Sequence, residues 1–218
     1  EEDIVPPGRP RMVTYQLAQA VSGVTVMMLL FGMLACGMAL LQERESGTLR
    51  RLLVASIPRG SILWAKFMAA VIVGLIQLLL LFTVGNLLFR IDAFRAPFTL
   101  LVLSITWAAA ATSFGMVIAA WAKTSKQAEG VATLIILLMA ALGGCWFPVQ
   151  MLDLPRAAEI ATQSTLTYWA MSGYQGMFWE QWSWTHPRML TAIGVQWAFT
   201  IVASGAALWL FKRRYVAG

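Results

Sequence analysis

Charge is scarce in this chain. Asp, Glu, Lys and Arg make up 12% of its 218 residues and hydrophobic residues 59%, against roughly 25% and 45–50% in soluble domains. The mean hydropathy is +0.71. A water-soluble globule of this size cannot hide so much apolar surface, which argues against a soluble enzyme and equally against disorder. Histidine is almost missing: His186 stands alone in a polar loop beside Pro187. Cys36 and Cys145 lie in separate apolar runs and form no CxxC or Cys/His cluster, so neither a disulfide framework nor a metal site is supported. The patterns GxxxxGK[ST], HExxH and GxSxG do not occur, which excludes a P-loop nucleotide site and the corresponding hydrolase sites. No apolar run has an Asp, Glu, Lys or Arg in its interior, where an ion-coupled antiporter would need one. A transporter powered from elsewhere, or a passive pore, remains.

What the chain does have is apolar length. Five runs can span a bilayer: 12–41, 67–89, 97–122, 131–147 and 189–211. At about 1.5 Å per residue, some 20 helical residues cross the roughly 30 Å hydrocarbon core. The expected fold is therefore an all-α polytopic membrane protein with five transmembrane helices. The net charge of +6 does not point to nucleic acid, because the basic residues sit at the ends of the runs. Residues 42–66, the link 123–130 and the tail 212–218 hold ten of them, and the opposite side holds six: Arg9, Arg11, Arg90, Arg95, Arg156 and Arg188. The positive-inside rule places the ten-residue side, with the C-terminus, in the cytoplasm. Residues 1–11 then form an external lead-in. With no signal peptide pattern there, a further span upstream is expected, making this the C-terminal part of a longer permease. Trp64, Trp121 and Trp209 fall at cytoplasmic ends of runs and Trp146, Trp169, Trp179, Trp182 and Trp184 on the outer side, as interfacial belts require, while Trp107 and Trp197 fall inside runs. Small residues, among them Gly32, Gly37, Ala108 to Ala111 and Gly115, allow close helix packing.

Two regions have chemistry beyond spanning. The outer segment 148–188 is neither polar enough for a plain loop nor apolar enough to cross. It can lie on the surface or dip in and return, with backbone at depth shielded by protein or water. In the first run Gln16, Gln19, Ser22 and Thr25 share one helical face. They are candidates to line a substrate path; the competing reading is helix–helix hydrogen bonding, worth about 0.6 kcal/mol each in membranes.

On the cytoplasmic side, Gly47 can end one helix and Ser46 or Thr48 can cap the next. Leu49, Leu52, Leu53 and Ser56 then recur at helical spacing, with Arg50, Arg51 and Val54 on other faces. Such a short amphipathic helix either lies on the inner leaflet, held by its arginines, or docks into a groove on a soluble partner.

The run Glu43-Arg44-Glu45-Ser46-Gly47-Thr48-Leu49-Arg50-Arg51-Leu52-Leu53, followed by Pro58-Arg59 and Ala65-Lys66, resembles the signature of ABC-2 type transporter permeases. A second likeness is Gly143-Gly144-Cys145-Trp146-Phe147-Pro148, then Leu154-Pro155 and Thr167-Tyr168-Trp169. It is similar to the Gly-Gly-x-x-Phe-Pro that in this family precedes a re-entrant hairpin. The resemblance implies an exporter's membrane subunit in the bacterial cytoplasmic membrane. It implies pairing with a second permease copy or half, contact with lipids, and a separate ATP-binding cassette subunit. This chain would bind no cofactor; ATP and Mg would sit on the partner. The coupling residues it implies are Glu43, Glu45, Gly47, Thr48, Leu49, Leu52 and Leu53. The glutamates would pair with basic groups on the partner or with Arg50 or Arg51. The hairpin residues are Gly143, Gly144, Phe147, Pro148, Pro155 and Tyr168. The alternative is a non-ABC scaffold or passive channel subunit whose cytoplasmic helix binds lipid.

Overall fold

The computed structural model describes residues 12–46, 59–122, 124–149, 152–153 and 155–216. Among these, seven helices occur and no strand: α1 (Met12–Glu45), α2 (Arg59–Phe89), α3 (Pro97–Trp121), α4 (Ser125–Leu142), α5 (Arg156–Gln163), α6 (Leu166–Trp179) and α7 (Pro187–Val216). Five are long and apolar enough to cross a membrane: Tyr15–Glu43 of α1, Leu63–Phe89 of α2, α3, α4, and Pro187–Phe211 of α7. The protein is an all-α, multi-pass membrane protein.

The centre of the bundle is α3. Its apolar window is 72% buried, against 22% in α4 and in α7. The cause is its small-residue stretch. Ala108, Ala110 and Ala111 are fully covered, so neighbouring backbones come close. A Cβ added at Gly37 of α1 would stand 2.5 Å from the Gly115 carbonyl oxygen, and one added at Gly115 would stand 2.4 Å from that of Met33. Across the other side of α3, the hydroxyls of Ser113 and Ser204 meet at 3.0 Å, joining α3 to α7. Pro97 starts α3 where its missing N–H costs nothing.

The outside is apolar. On α2, Leu78 and Phe82 are buried, while Ile72, Ile76, Leu79, Leu80, Leu87 and Leu88 face outward and are more than half exposed. On α7, Ile201 and Val202 do the same. Leaving one such side chain in water forgoes about 1.5–3 kcal/mol. A continuous face of them is stable only against hydrocarbon or another apolar surface. Trp64, Trp121, Trp146, Trp184 and Trp209 are exposed near helix ends, and the Arg213 guanidinium lies 4.6 Å over the Trp209 ring. Trp182, expected in the outer belt, is buried instead, because its indole packs on Gly176.

The fourth span differs from the run expected at 131–147. Helix α4 covers Ser125–Leu142, so much of the expected link 123–130 is helical. Thr124 caps it by accepting from the Gln127 N–H at 3.3 Å. Gly143 and Gly144 end it, the latter at φ +82°. The apolar Cys145-Trp146-Phe147 therefore belongs to the turn, which hydropathy alone cannot distinguish from a span.

Consecutive spans alternate in direction. The starts of α1, α3 and α7 and the ends of α2 and α4 share one end of the bundle with α5 and α6, the hairpin end. Opposite lies the linker end, where α1 leads into residues 47–58.

Candidate functional site

At the linker end α1 outruns its apolar stretch by one turn. Glu43 and Glu45, two residues apart on a helix, point to different neighbours. Lys66 Nζ donates to Glu43 Oε1 at 2.6 Å, tying α1 to the start of α2. Glu45 accepts the Ser125 backbone N–H on one oxygen and the Ser125 hydroxyl on the other, both at 2.8 Å. A carboxylate there satisfies an orphan donor of α4 and meets the positive end of its dipole. Ser46 closes the turn, its N–H donating to the Gln42 carbonyl at 2.9 Å and its hydroxyl to that of Glu43 at 3.2 Å.

The expectation pairs Glu43 and Glu45 with a partner or with Arg50 or Arg51. Among the described residues, Lys66 engages Glu43 and Ser125 engages Glu45. Arg50 and Arg51 lie outside the described residues, as do Gly47, Thr48, Leu49, Leu52 and Leu53. Lys66 itself ends the segment that carries the first sequence likeness, so the two ends of that segment meet. Nothing in the spacing of Glu45 and Ser125 along the chain announces their contact.

The hairpin end is built on close approach. A Cβ at Gly143 would meet the Thr167 hydroxyl oxygen at 2.0 Å, and that hydroxyl donates to the Met139 carbonyl at 2.5 Å. A Cβ at Gly23 of α1 would meet the Cys145 carbonyl oxygen at 1.7 Å. Gln19 Nε2 donates to the Gly144 carbonyl at 2.7 Å, and Gln19 Oε1 accepts from Gln175 Nε2 at 2.6 Å. One side chain thus binds α1, the glycine turn and α6 together. Phe147 is exposed and Pro148 half-buried, while Pro155 holds the N-cap position of α5.

Thr165 caps α6 by accepting from the Tyr168 N–H at 3.3 Å. From there α6 crosses the mouth of the bundle. It starts against the end of α4 and finishes where Trp179 meets Tyr15 of α1, edge to face with centroids 6.0 Å apart. Midway the Tyr174 ring lies 5.1 Å from that of Phe82. Tyr168 is half-buried, and burial together with the Glu159 carboxylate pushes its hydroxyl above the ordinary tyrosine range, against the pull of Gln163 and Arg188.

Of the candidate lining residues, Gln19, Ser22 and Thr25 share a face as expected, and Gln16 is exposed. The shared face is closed in this structure: all three are 5% exposed or less. Thr167, part of the second sequence likeness, and Gln175 complete the hairpin contacts, and neither was among the expected hairpin or lining residues.

The model of the family described as ABC-2 type transporter matches residues 9–179. The chain belongs to that family. The matched stretch contains α1 to α6, and with them both ends just described. The linearmycin resistance permease protein LnrN of Bacillus subtilis (strain 168) is 24% identical over 156 residues, covering 72% of this chain. The chain spans 40% of that relative's length. No solved structure matches. Family and relative place it among transporter membrane proteins.

Proposed function

We propose that this chain is the permease part of an ATP-driven exporter in the bacterial cytoplasmic membrane, with its C-terminus cytoplasmic. It works with a second permease copy or half and with separate ATP-binding cassette subunits, which hold the ATP and Mg. Residues 47–58 are the docking element, with Gly47 and Thr48 forming the turn and Leu49, Leu52 and Leu53 filling a groove on the partner.

The observation that carries the reading is the pair of ties flanking that element. Glu43 with Lys66 and Glu45 with Ser125 attach the last turn of α1 to the third turn of α2 and the first turn of α4. A push on residues 47–58 therefore reaches three spans at their ends. A two-state bundle biased by its partner needs such a connection.

The test is purification of the native complex in mild detergent, followed by mass spectrometry and ATPase assay. A stoichiometric Walker A subunit is expected. Leu49→Asp should release it, and Gly47→Pro should reduce ATPase stimulation to the basal level with membrane insertion intact. A chain recovered alone or only with itself, with no ATPase across several detergents, overturns the reading in favour of a scaffold or channel.

A further inference from the structure

At the hairpin end a cavity of about 890 Å³ opens between Val149, Leu152, Asp153 and Pro155 after the glycine turn, helices α5 and α6, the loop after α6 and the start of α7. That is the size of a small-molecule site, roughly 300–1,000 Å³. Its electrostatics oppose those of the chain. The protein carries +6 overall and only 10 carboxylates, yet Asp153, Glu159 and Glu180 all line this cavity. Arg188 is the only cation among its described lining residues.

Among the described residues none of the three carboxylates has a cationic nitrogen within ion-pair distance. Glu159 accepts from Gln163 Nε2 at 3.0 Å and Glu180 from Trp182 Nε1 at 2.8 Å, neutral donors that leave the negative charge in place. Arg188 is turned to an aromatic face, 5.9 Å over the Trp182 ring, rather than to a carboxylate.

The remaining wall supplies apolar and aromatic surface. Tyr168 and Trp169 stand edge to face at 5.3 Å, and both line the cavity with Val149. The floor is tied to α1, since Gln175 is 5% exposed and bonded to Gln19. Excess negative charge beside aromatic faces, in a cavity held by buried hydrogen bonds, attracts a cation with a hydrophobic body.

We propose that this cavity is a binding site for an organic cation, an ammonium or phosphonium group carried on an apolar or aromatic frame. The site is separate from the linker end, and binding to it requires no ATP. The inference therefore stands or falls apart from the coupling reading.

The test uses the full-length permease in lipid nanodiscs, with binding of radiolabelled tetraphenylphosphonium measured against empty discs. Tetraphenylborate, with the same shape and the opposite charge, is the control. Saturable binding of the phosphonium and none of the borate is expected. The Glu159→Gln/Glu180→Gln variant should weaken it about tenfold or more, and rising salt should weaken it further. Thr191→Lys, which adds a cation to the exposed wall without removing a carboxylate, should do the same while elution and melting behaviour stay unchanged. Discs of phosphatidylglycerol alone or mixed with phosphatidylethanolamine separate two sources of the cation. Competition by the ethanolamine lipid marks a headgroup as the natural occupant, and equal binding marks a free organic cation. Absence of a saturable component, equal affinity for the borate, or indifference to both variants overturns the proposal.

Discussion

The two ends of this bundle are held by different physics. At the hairpin end, contacts are buried and steric: backbone passes Gly23 and Gly143 with no room for a methyl group, and Gln19 bridges three segments. At the linker end, contacts are charged and partly solvated. The Glu43–Lys66 pair has about a third of each side chain exposed, and Glu45 and Ser125 meet at the surface. Buried steric contacts define one arrangement and fail abruptly. Partly exposed ion pairs are worth about 0–1 kcal/mol and exchange readily with water or other partners. One end is thus suited to stay fixed and the other to change state.

The sharpest way to break this contrast is to fill the glycine contacts. Gly23→Leu forces α1 away from the Cys145 carbonyl and should cost about 3 kcal/mol or more. A collapsed monodisperse peak in size-exclusion chromatography and a large fall in melting temperature are the expected readouts. Gly194→Leu and Gly205→Leu on α7, where an added Cβ meets nothing within 4 Å, should be neutral or mildly stabilising. If all three behave alike, the steric account of the hairpin end is wrong.

Smaller effects are expected from the amide bridge. Gln19→Leu leaves the Gly144 carbonyl and the Gln175 amide without their partner, costing about 1–3 kcal/mol. The double variant Gln19→Leu/Gln175→Leu should recover part of that loss, because one orphaned group is gone. A double-mutant cycle by thermal denaturation measures the coupling, and strict additivity would remove Gln19 from its bridging role.

The linker end should show the least stability loss. Glu45→Ala removes a helix-start acceptor and should cost about 1 kcal/mol. Lys66→Met should cost less than about 1 kcal/mol, and the deficit should shrink in high salt. Under the proposed function both variants should nevertheless lower transport more than their melting temperatures suggest. Transport that follows stability alone would make the linker end as passive as the rest of the scaffold.

Much of the fold was legible before the structure. Helical apolar runs, small residues on α1 and α3, and glycines before an aromatic-proline turn each express a local rule. So did the polar face of Gln19, Ser22 and Thr25, although legibility stopped at its use. The face is real, and the structure closes it against the chain's own packing. The fourth span shows the same limit from the other side. Hydropathy ran on through Cys145-Trp146-Phe147, while the positive φ of Gly144 had already turned the chain. At the linker end the family likeness drew attention to Glu43 and Glu45, but their contacts within this chain were not readable. Lys66 and Ser125 stand 23 and 80 positions away.

The number and order of spans, the small-residue faces and the family follow from the sequence alone, because each depends on composition, on periodicity or on a short run of neighbours. Which carboxylate meets which cation, which glycine touches which carbonyl, and the gathering of Asp153, Glu159 and Glu180 around one cavity were decided by tertiary structure. The first two sets of groups are distant in sequence and the carboxylates lie on separate elements, so only the packing of those elements brings them together.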